Sequence, residues 1–159
     1  MNRRRFGIAS LIGALPAFGQ QARIPDRGPQ LPGTLVQEFV RAAHGDLAKT
    51  KSMLGDQPAL LNACWDWGGG DFETGLGGAS HMGSREVAEY LIAQGARMDI
   101  FAAAMLGRLE IVEAMVRAFP GIESSKGPHG IPLIAHAKKG GAEAEPVVRF
   151  LTDRKAGQG

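Results

Sequence analysis

Cysteine is all but missing from this chain. Cys64 is the single one among 159 residues, so no internal disulfide can form and packing must supply the stability. Aromatic residues make up only 6%, while the 23 glycines follow no three-residue period, which excludes a collagen-like chain. The apolar run Phe6 to Phe18, 13 residues, falls short of the roughly 20 a membrane span requires. No acidic residue precedes Asp26, and Arg3, Arg4 and Arg5 lie in that first stretch. Setting those three aside leaves 15 basic against 16 acidic residues. The mature chain therefore has a charge near −1 and no basic patch for a phosphate backbone, which excludes nucleic-acid binding.

What is present begins with an address. Residues 1–22 have a positive start (Asn2-Arg3-Arg4-Arg5), the apolar run, and a small-x-small pattern at Ala17-Phe18-Gly19, the layout of an export signal. Arg3-Arg4-Arg5-Phe6 also resembles the twin-arginine motif, and Gly7, Ser10 and Gly13 keep the run only mildly apolar. An ordinary Sec signal with an extra arginine is the alternative. Either route places the mature protein in the periplasm or outside the cell. No cysteine follows the run, so no lipid anchor is indicated. Residues 23–33 carry three prolines and two glycines and read as a flexible leader. Residues 34–153 form the folded domain, and residues 154–159 a disordered tail.

Self-similarity organises the domain. Four segments have the form short helix, glycine, amphipathic helix, with anchor glycines at 45, 83, 107 and 140. Val87, Leu91 and Ile92 recur at helical spacing, as do Ile111, Val112, Met115 and Val116. One such pair cannot bury its apolar stripe alone, but stacked neighbours can. Alanines 79, 103, 104 and 137 permit close approach, and Phe39, Val40, Phe150 and Leu151 are expected at the ends of the stack, with one flank in solvent. The anchors are 38, 24 and 33 residues apart. The short step leaves no room for a hairpin, so Asp99-Ile100-Phe101 must lead directly into a helix. The long step has its extra length in Asn62–Glu73, an enlarged glycine-rich finger. Pro146 is expected to start the last helix.

Here the chain resembles the ankyrin-repeat family, whose period is about 33 residues. Thr74-Gly75-Leu76-Gly77 and Ile131-Pro132-Leu133-Ile134 match the family's opening, Glu86 to Ile92 and Glu110 to Val116 its outer helix, and Gly95-Ala96-Arg97 its close. The resemblance covers roughly residues 35–152 and departs where Gly77 and Ile134 stand in place of a histidine. It implies an all-α ankyrin-repeat solenoid of about four helix pairs with short β-hairpin or finger loops. It further implies a non-catalytic scaffold, monomeric and without cofactor, that binds a protein partner through finger tips and the concave inner-helix face. On that face the matching positions are His44, His81, Met82, Met105, Leu106, Lys138 and Lys139; the finger adds Trp65, Asp66, Trp67, Asp71 and Phe72.

Each candidate has a plainer reading beside it. Trp65 and Trp67 suit binding anchors, and equally suit caps over the apolar edge between the first two repeats. His44, His81, His129, His136, Asp66, Asp71 and Glu73 are of metal-ligand type, but no pair has the tight spacing of His-Glu-x-x-His. His136 reads as a hydrogen-bonded core histidine. Gly68-Gly69-Gly70 lacks the Lys-Ser/Thr of a phosphate loop, and Ser80 beside His81 reads as a helix hydroxyl bonded to its own backbone. Cys64, next to Trp65, is expected to be partly covered. The alternative function is a small metal-binding protein or hydrolase built on His81, Asp71 and Glu73, with His129 added. It requires that these groups converge.

Overall fold

The computed structural model describes residues 28–156; the expected export signal, the first five residues of the expected leader and the last three residues lie outside them. The described chain is mainly helical. In order come α1 (Gly33–Ala43), α2 (Leu47–Asp56), β1 (Cys64–Asp66), β2 (Phe72–Thr74), α3 (Gly75–Met82) and α4 (Arg85–Ala93). They are followed by α5 (Ile100–Met105), α6 (Leu109–Ala118), α7 (Leu133–Lys139) and α8 (Glu145–Ala156). Helix α8 continues to Ala156, past the expected end of the domain at 153, and Pro146 is its second residue.

Odd-numbered helices form one layer, in which α1 packs on α3, α3 on α5 and α5 on α7. Each is paired with the even-numbered helix that follows it. The pattern of the outer helices explains their orientation. In α4, Val87, Ala88 and Leu91 are buried while Glu86 and Glu89 face water; in α6 the buried pair is Val112 and Val116, one turn apart. Side-chain caps set the helix starts. Asp46 accepts from Lys49 N at 2.9 Å, Thr74 from Gly77 N at 3.0 Å and Asp99 from Ala102 N at 2.8 Å. Gly83 and Gly107 end α3 and α5 with φ of 77° and 71°.

The core divides into two clusters. One gathers Phe39, Leu60, Leu76 and Leu91, the other Val112, Leu133, Val147 and Leu151. Phe39 and Val40 are fully buried, contrary to the expected half-exposed end position. The reason is local: the Phe39 ring sits against Gly75, and the hairpin strand β1 packs on α1. Strands β1 and β2 pair antiparallel, with Trp65 opposite Glu73 and Asp66 opposite Phe72. Asp99 leads straight into α5 with no hairpin before it. Among the described residues no helix is long and apolar enough to cross a membrane.

Candidate metal centre

Four side chains from three parts of the chain meet beside α3. His44 closes α1, Glu73 is the middle residue of β2, and His81 lies in the last turn of α3. His129 comes from the connection between α6 and α7, in a 3-10 turn, Pro128–Gly130. One ligand atom from each lies within 4.8 Å of all the others.

Each side chain is held in place by identifiable neighbours. The His44 Nδ1–H donates to Val40 O at 2.8 Å, and the Ser84 hydroxyl donates to the His44 carbonyl. Because a carbonyl can only accept, Nδ1 carries the proton and Nε2 presents a lone pair when the ring is neutral. Gly78 makes room for that ring: a Cβ there would stand 2.7 Å from His44 Nδ1. Strand alternation turns Glu73 inward and its neighbour Phe72 outward, leaving them 1% and 61% exposed. The Trp67 indole N–H donates to Glu73 Oε2 at 2.6 Å, with the Arg41 guanidinium 5.3 Å above the indole ring.

His129 is the one described non-glycine residue at positive φ, 58°. Asp71 holds it there, accepting from the His129 backbone N–H at 2.8 Å and from Nδ1–H at 2.7 Å. Again Nε2 is left as the free lone pair. Asp66 instead shapes the finger tip, accepting from Gly68 N and Gly70 N at 2.9 and 3.1 Å.

The resulting distances are those of a coordination shell. His81 Nε2 is 2.9 Å from Glu73 Oε1 and 3.2 Å from His44 Nε2. His129 Nε2 is 3.5 Å from Oε1, and His44 Nε2 is 3.5 Å from Oε2. Ligands about 2.0–2.1 Å from a tetrahedral zinc ion stand about 3.3 Å apart along each edge. Glu73 Oε1 is buried, and its nearest donor, His81 Nε2 at 2.9 Å, is out of line for a regular hydrogen bond. The single Nε2 proton of His81 cannot serve both the carboxylate and His44.

The electrostatics agree with that geometry. Burial pushes the Glu73 pKa up, but the close His81 imidazole and the Trp67 N–H outweigh it, and the carboxyl is held below its usual range. The backbone N–H of His129 is the chief reason that Asp71, too, is lowered. Two carboxylates favoured in their ionised form, set among three imidazole rings, make a donor set suited to a divalent cation. Val40, Asp71 and Trp67 stand behind the cluster: a carbonyl behind the His44 ring, a carboxylate behind the His129 ring and a donor on the Glu73 carboxylate.

The other candidates separate clearly. His136 is buried away from the cluster, with Nδ1–H on Pro132 O at 3.1 Å, Nε2 without a partner and the Phe101 ring 4.9 Å from its own. Met105 and Leu106, expected on an open face, are 0% and 3% exposed, because α5 is flanked by both α3 and α7. Trp65 packs on the first core cluster, its ring against Gly33, and Trp67 lines the metal-ligand group, so neither stands free on the finger. Met82, Lys138 and Lys139 are exposed, Met82 by 50%. Ser80 donates to Leu76 O at 2.6 Å. Cys64 is exposed rather than covered. Desolvation of its thiol, with Glu73 and Asp66 nearby, nevertheless raises its pKa, away from thiolate reactivity.

The sequence groups His81, Asp71 and Glu73, with His129 added, as the alternative site; His44 is of ligand type there too, but is assigned with His81 to the binding face. The missed signal is the Gly77-Gly78 pair. Two adjacent glycines inside a helix mark a surface where something must approach closely. Beside the centre, the finger and the residues before His129 enclose a cleft of about 360 Å³ lined by Asp71, Phe72, Phe101 and Lys126 among others. No protein-family model, curated protein or solved structure matches this chain.

Proposed function

We propose that this protein is an exported, ankyrin-like stack that binds one divalent transition metal, zinc foremost, through His44, Glu73, His81 and His129. The observation that carries the reading is the buried Glu73 carboxylate, with Oε1 lacking an aligned donor, the Nε2 atoms of His81 and His129 at 2.9 and 3.5 Å from Oε1, and that of His44 at 3.5 Å from Oε2. Imidazole nitrogen with one carboxylate oxygen suits zinc and its neighbours in the first transition row. Four protein ligands fill a tetrahedral zinc shell, the closed arrangement of structural rather than catalytic sites. The reading is therefore non-catalytic. The metal is part of the scaffold.

The ankyrin assignment draws support from the serial packing of α1, α3, α5 and α7, the Thr74 cap and the hairpin finger. Export rests on the pattern of residues 1–22. A protein-recognition role, with the chain as monomer, is the second reading. It is favoured by Phe72 and Met82, large apolar side chains exposed near the centre.

The test is metal analysis of the purified mature protein with zinc titration at neutral pH. One zinc per chain is expected, lost on Glu73→Ala or His81→Ala with the helical signal retained. A folded wild-type protein that takes up no zinc, cobalt or other divalent metal would sink the reading.

A further inference from the structure

We infer that the fourth ligand is delivered by a strap, residues 121–131, whose docking and the filling of the metal site are a single event, with Asp71 as the positioning residue. The inference rests on the metal reading above. Three of the ligands are fixed without a metal. His44 is tied through Val40 O and Ser84, Glu73 lies in the β1–β2 pair, and His81 is part of α3. All three belong to the half of the molecule built around the first core cluster.

His129 differs in kind. It rides on a connection with two 3-10 turns, Ile122–Ser124 and Pro128–Gly130, and a single antiparallel bridge from Lys126 to Pro132; Ile122 packs on the second core cluster, and neither turn holds a fully buried residue. The base of the strap is closed by its own backbone: Gly127 N donates to Ile131 O at 2.9 Å and Leu133 N to Ser125 O at 3.3 Å. Its apex reaches the finger through Asp71, by the two hydrogen bonds of 2.8 and 2.7 Å. A segment with little buried apolar contact opens more readily than the core around it. Polar ties must therefore hold the apex.

Asp71 does two things at once. Oδ1 takes the backbone N–H and so stabilises the left-handed turn at His129; Oδ2 takes Nδ1–H and so fixes the tautomer that aims a lone pair at the centre. With the strap away, His44, Glu73 and His81 form a three-ligand site with an open position. With the strap docked, His129 closes the shell. The same movement builds the cleft, since Lys126, Gly127 and Pro128 are one wall and Gly70, Asp71, Phe72 and Thr74 the other. Metal occupancy thus sets whether that cleft exists in closed form.

Amide hydrogen exchange across residues 121–132, with and without stoichiometric zinc, tests this directly, alongside zinc affinity by competition titration. In the wild-type protein zinc is expected to slow exchange at the strap apex at least about 10-fold. His129→Ala should still bind zinc through three ligands, but lose all strap protection. Asp71→Asn should weaken zinc by the 10–100-fold typical of a supporting residue and reduce the protection with it. Wild-type protein that binds one zinc while the strap exchanges at an unchanged rate overturns the strap and leaves the metal reading standing. So does an Asp71→Asn variant with wild-type affinity. Failure to bind zinc at all removes the metal reading and the strap together.

Discussion

Helices α3 and α5 are neighbours in the same layer and begin and end alike, yet one adjoins the candidate metal centre and the other only packs. Each starts under a side-chain cap, Thr74 or Asp99, and each is closed by a glycine in the left-handed region, Gly83 or Gly107. Counting back from those glycines, Leu76 matches Ile100, Ala79 matches Ala103 and Ser80 matches Ala104, and all six are buried. The differences fall on one side. Gly77, Gly78 and His81 stand where α5 has Phe101, Ala102 and Met105. Glycine costs about 1 kcal/mol against alanine inside a helix. Helix α3 bears that cost at adjacent positions; the His44 ring fills the space beside Gly78, and the Glu73 Cγ methylene lies against Gly77. The common features make a layer; the glycines make a site.

The comparison breaks most completely if His81 is given the side chain of its counterpart. His81→Met should leave the fold helical and reduce zinc affinity by more than the 10–100-fold that follows loss of an outer-shell partner. Competition titration against a chelator measures it, and affinity within 10-fold of wild type would mean that His81 is not a ligand. Gly78→Ala comes next. Helix propensity alone favours it by about 1 kcal/mol. The new Cβ, however, meets the His44 ring at 2.7–2.8 Å, and that ring is fixed through Val40 O. Overpacking of this kind costs about 1–3 kcal/mol, so the variant should melt no higher than wild type and bind zinc at least about 10-fold more weakly.

His136 sharpens the contrast from the other side, as an imidazole that met packing rather than ligands. Burial lowers its pKa from 6.5, with only the Pro132 carbonyl bond and distant charges acting on it besides. The native state holds it neutral, while the unfolded chain takes up a proton below about pH 6.5. Stability should therefore fall as pH drops from that point toward the lower native pKa. Glu73 and Asp71 act in the same direction, but with depressed native pKa values their loss begins only near the ordinary carboxylate pKa of about 4 and continues below it. Chemical denaturation of the metal-free wild-type and His136→Leu proteins between pH 7 and 5 isolates this histidine by difference. His136→Leu should flatten the slope in that interval, and an unchanged slope would assign it elsewhere.

Much of the layer is legible in the sequence, because helical spacing and anchor glycines report local structure. Val87 with Leu91 and Val112 with Val116 are buried as their spacing requires. The 24-residue step likewise gives the bare entry of Asp99 into α5. The site is legible only in part. Which finger residue points inward depends on the pairing of Trp65 with Glu73, and a shift of one would exchange Glu73 for Phe72. The arrival of His129 depends on a connection with no periodicity, aimed by two hydrogen bonds to a residue 58 positions away. Nothing local encodes that. Met105 was misplaced for a related reason, since periodicity marks a helix face without saying how many neighbours cover it.

Smaller effects test whether α3 and α5 are equivalent where they look alike. Thr74→Ala and Asp99→Ala each remove a cap and should each cost about 1 kcal/mol by denaturant titration. Only the first should also disturb zinc binding, because Thr74 adjoins Glu73 on β2. Gly77→Ala is the finest cut. A Cβ there meets Glu73 Cγ at 3.4 Å, Pro128 Cγ at 3.5 Å and Thr74 Oγ1 at 3.5 Å, all ordinary contact distances. The helix should gain about 0.5–1 kcal/mol from the reduced freedom of the unfolded chain, with zinc affinity unchanged. Gly77 and Gly78 would then part company, one replaceable and the other not. If instead Gly77→Ala also weakened zinc, the contact with Pro128 would be the cause, since Pro128 precedes His129, and the tolerance for volume beside α3 would be smaller than these distances imply.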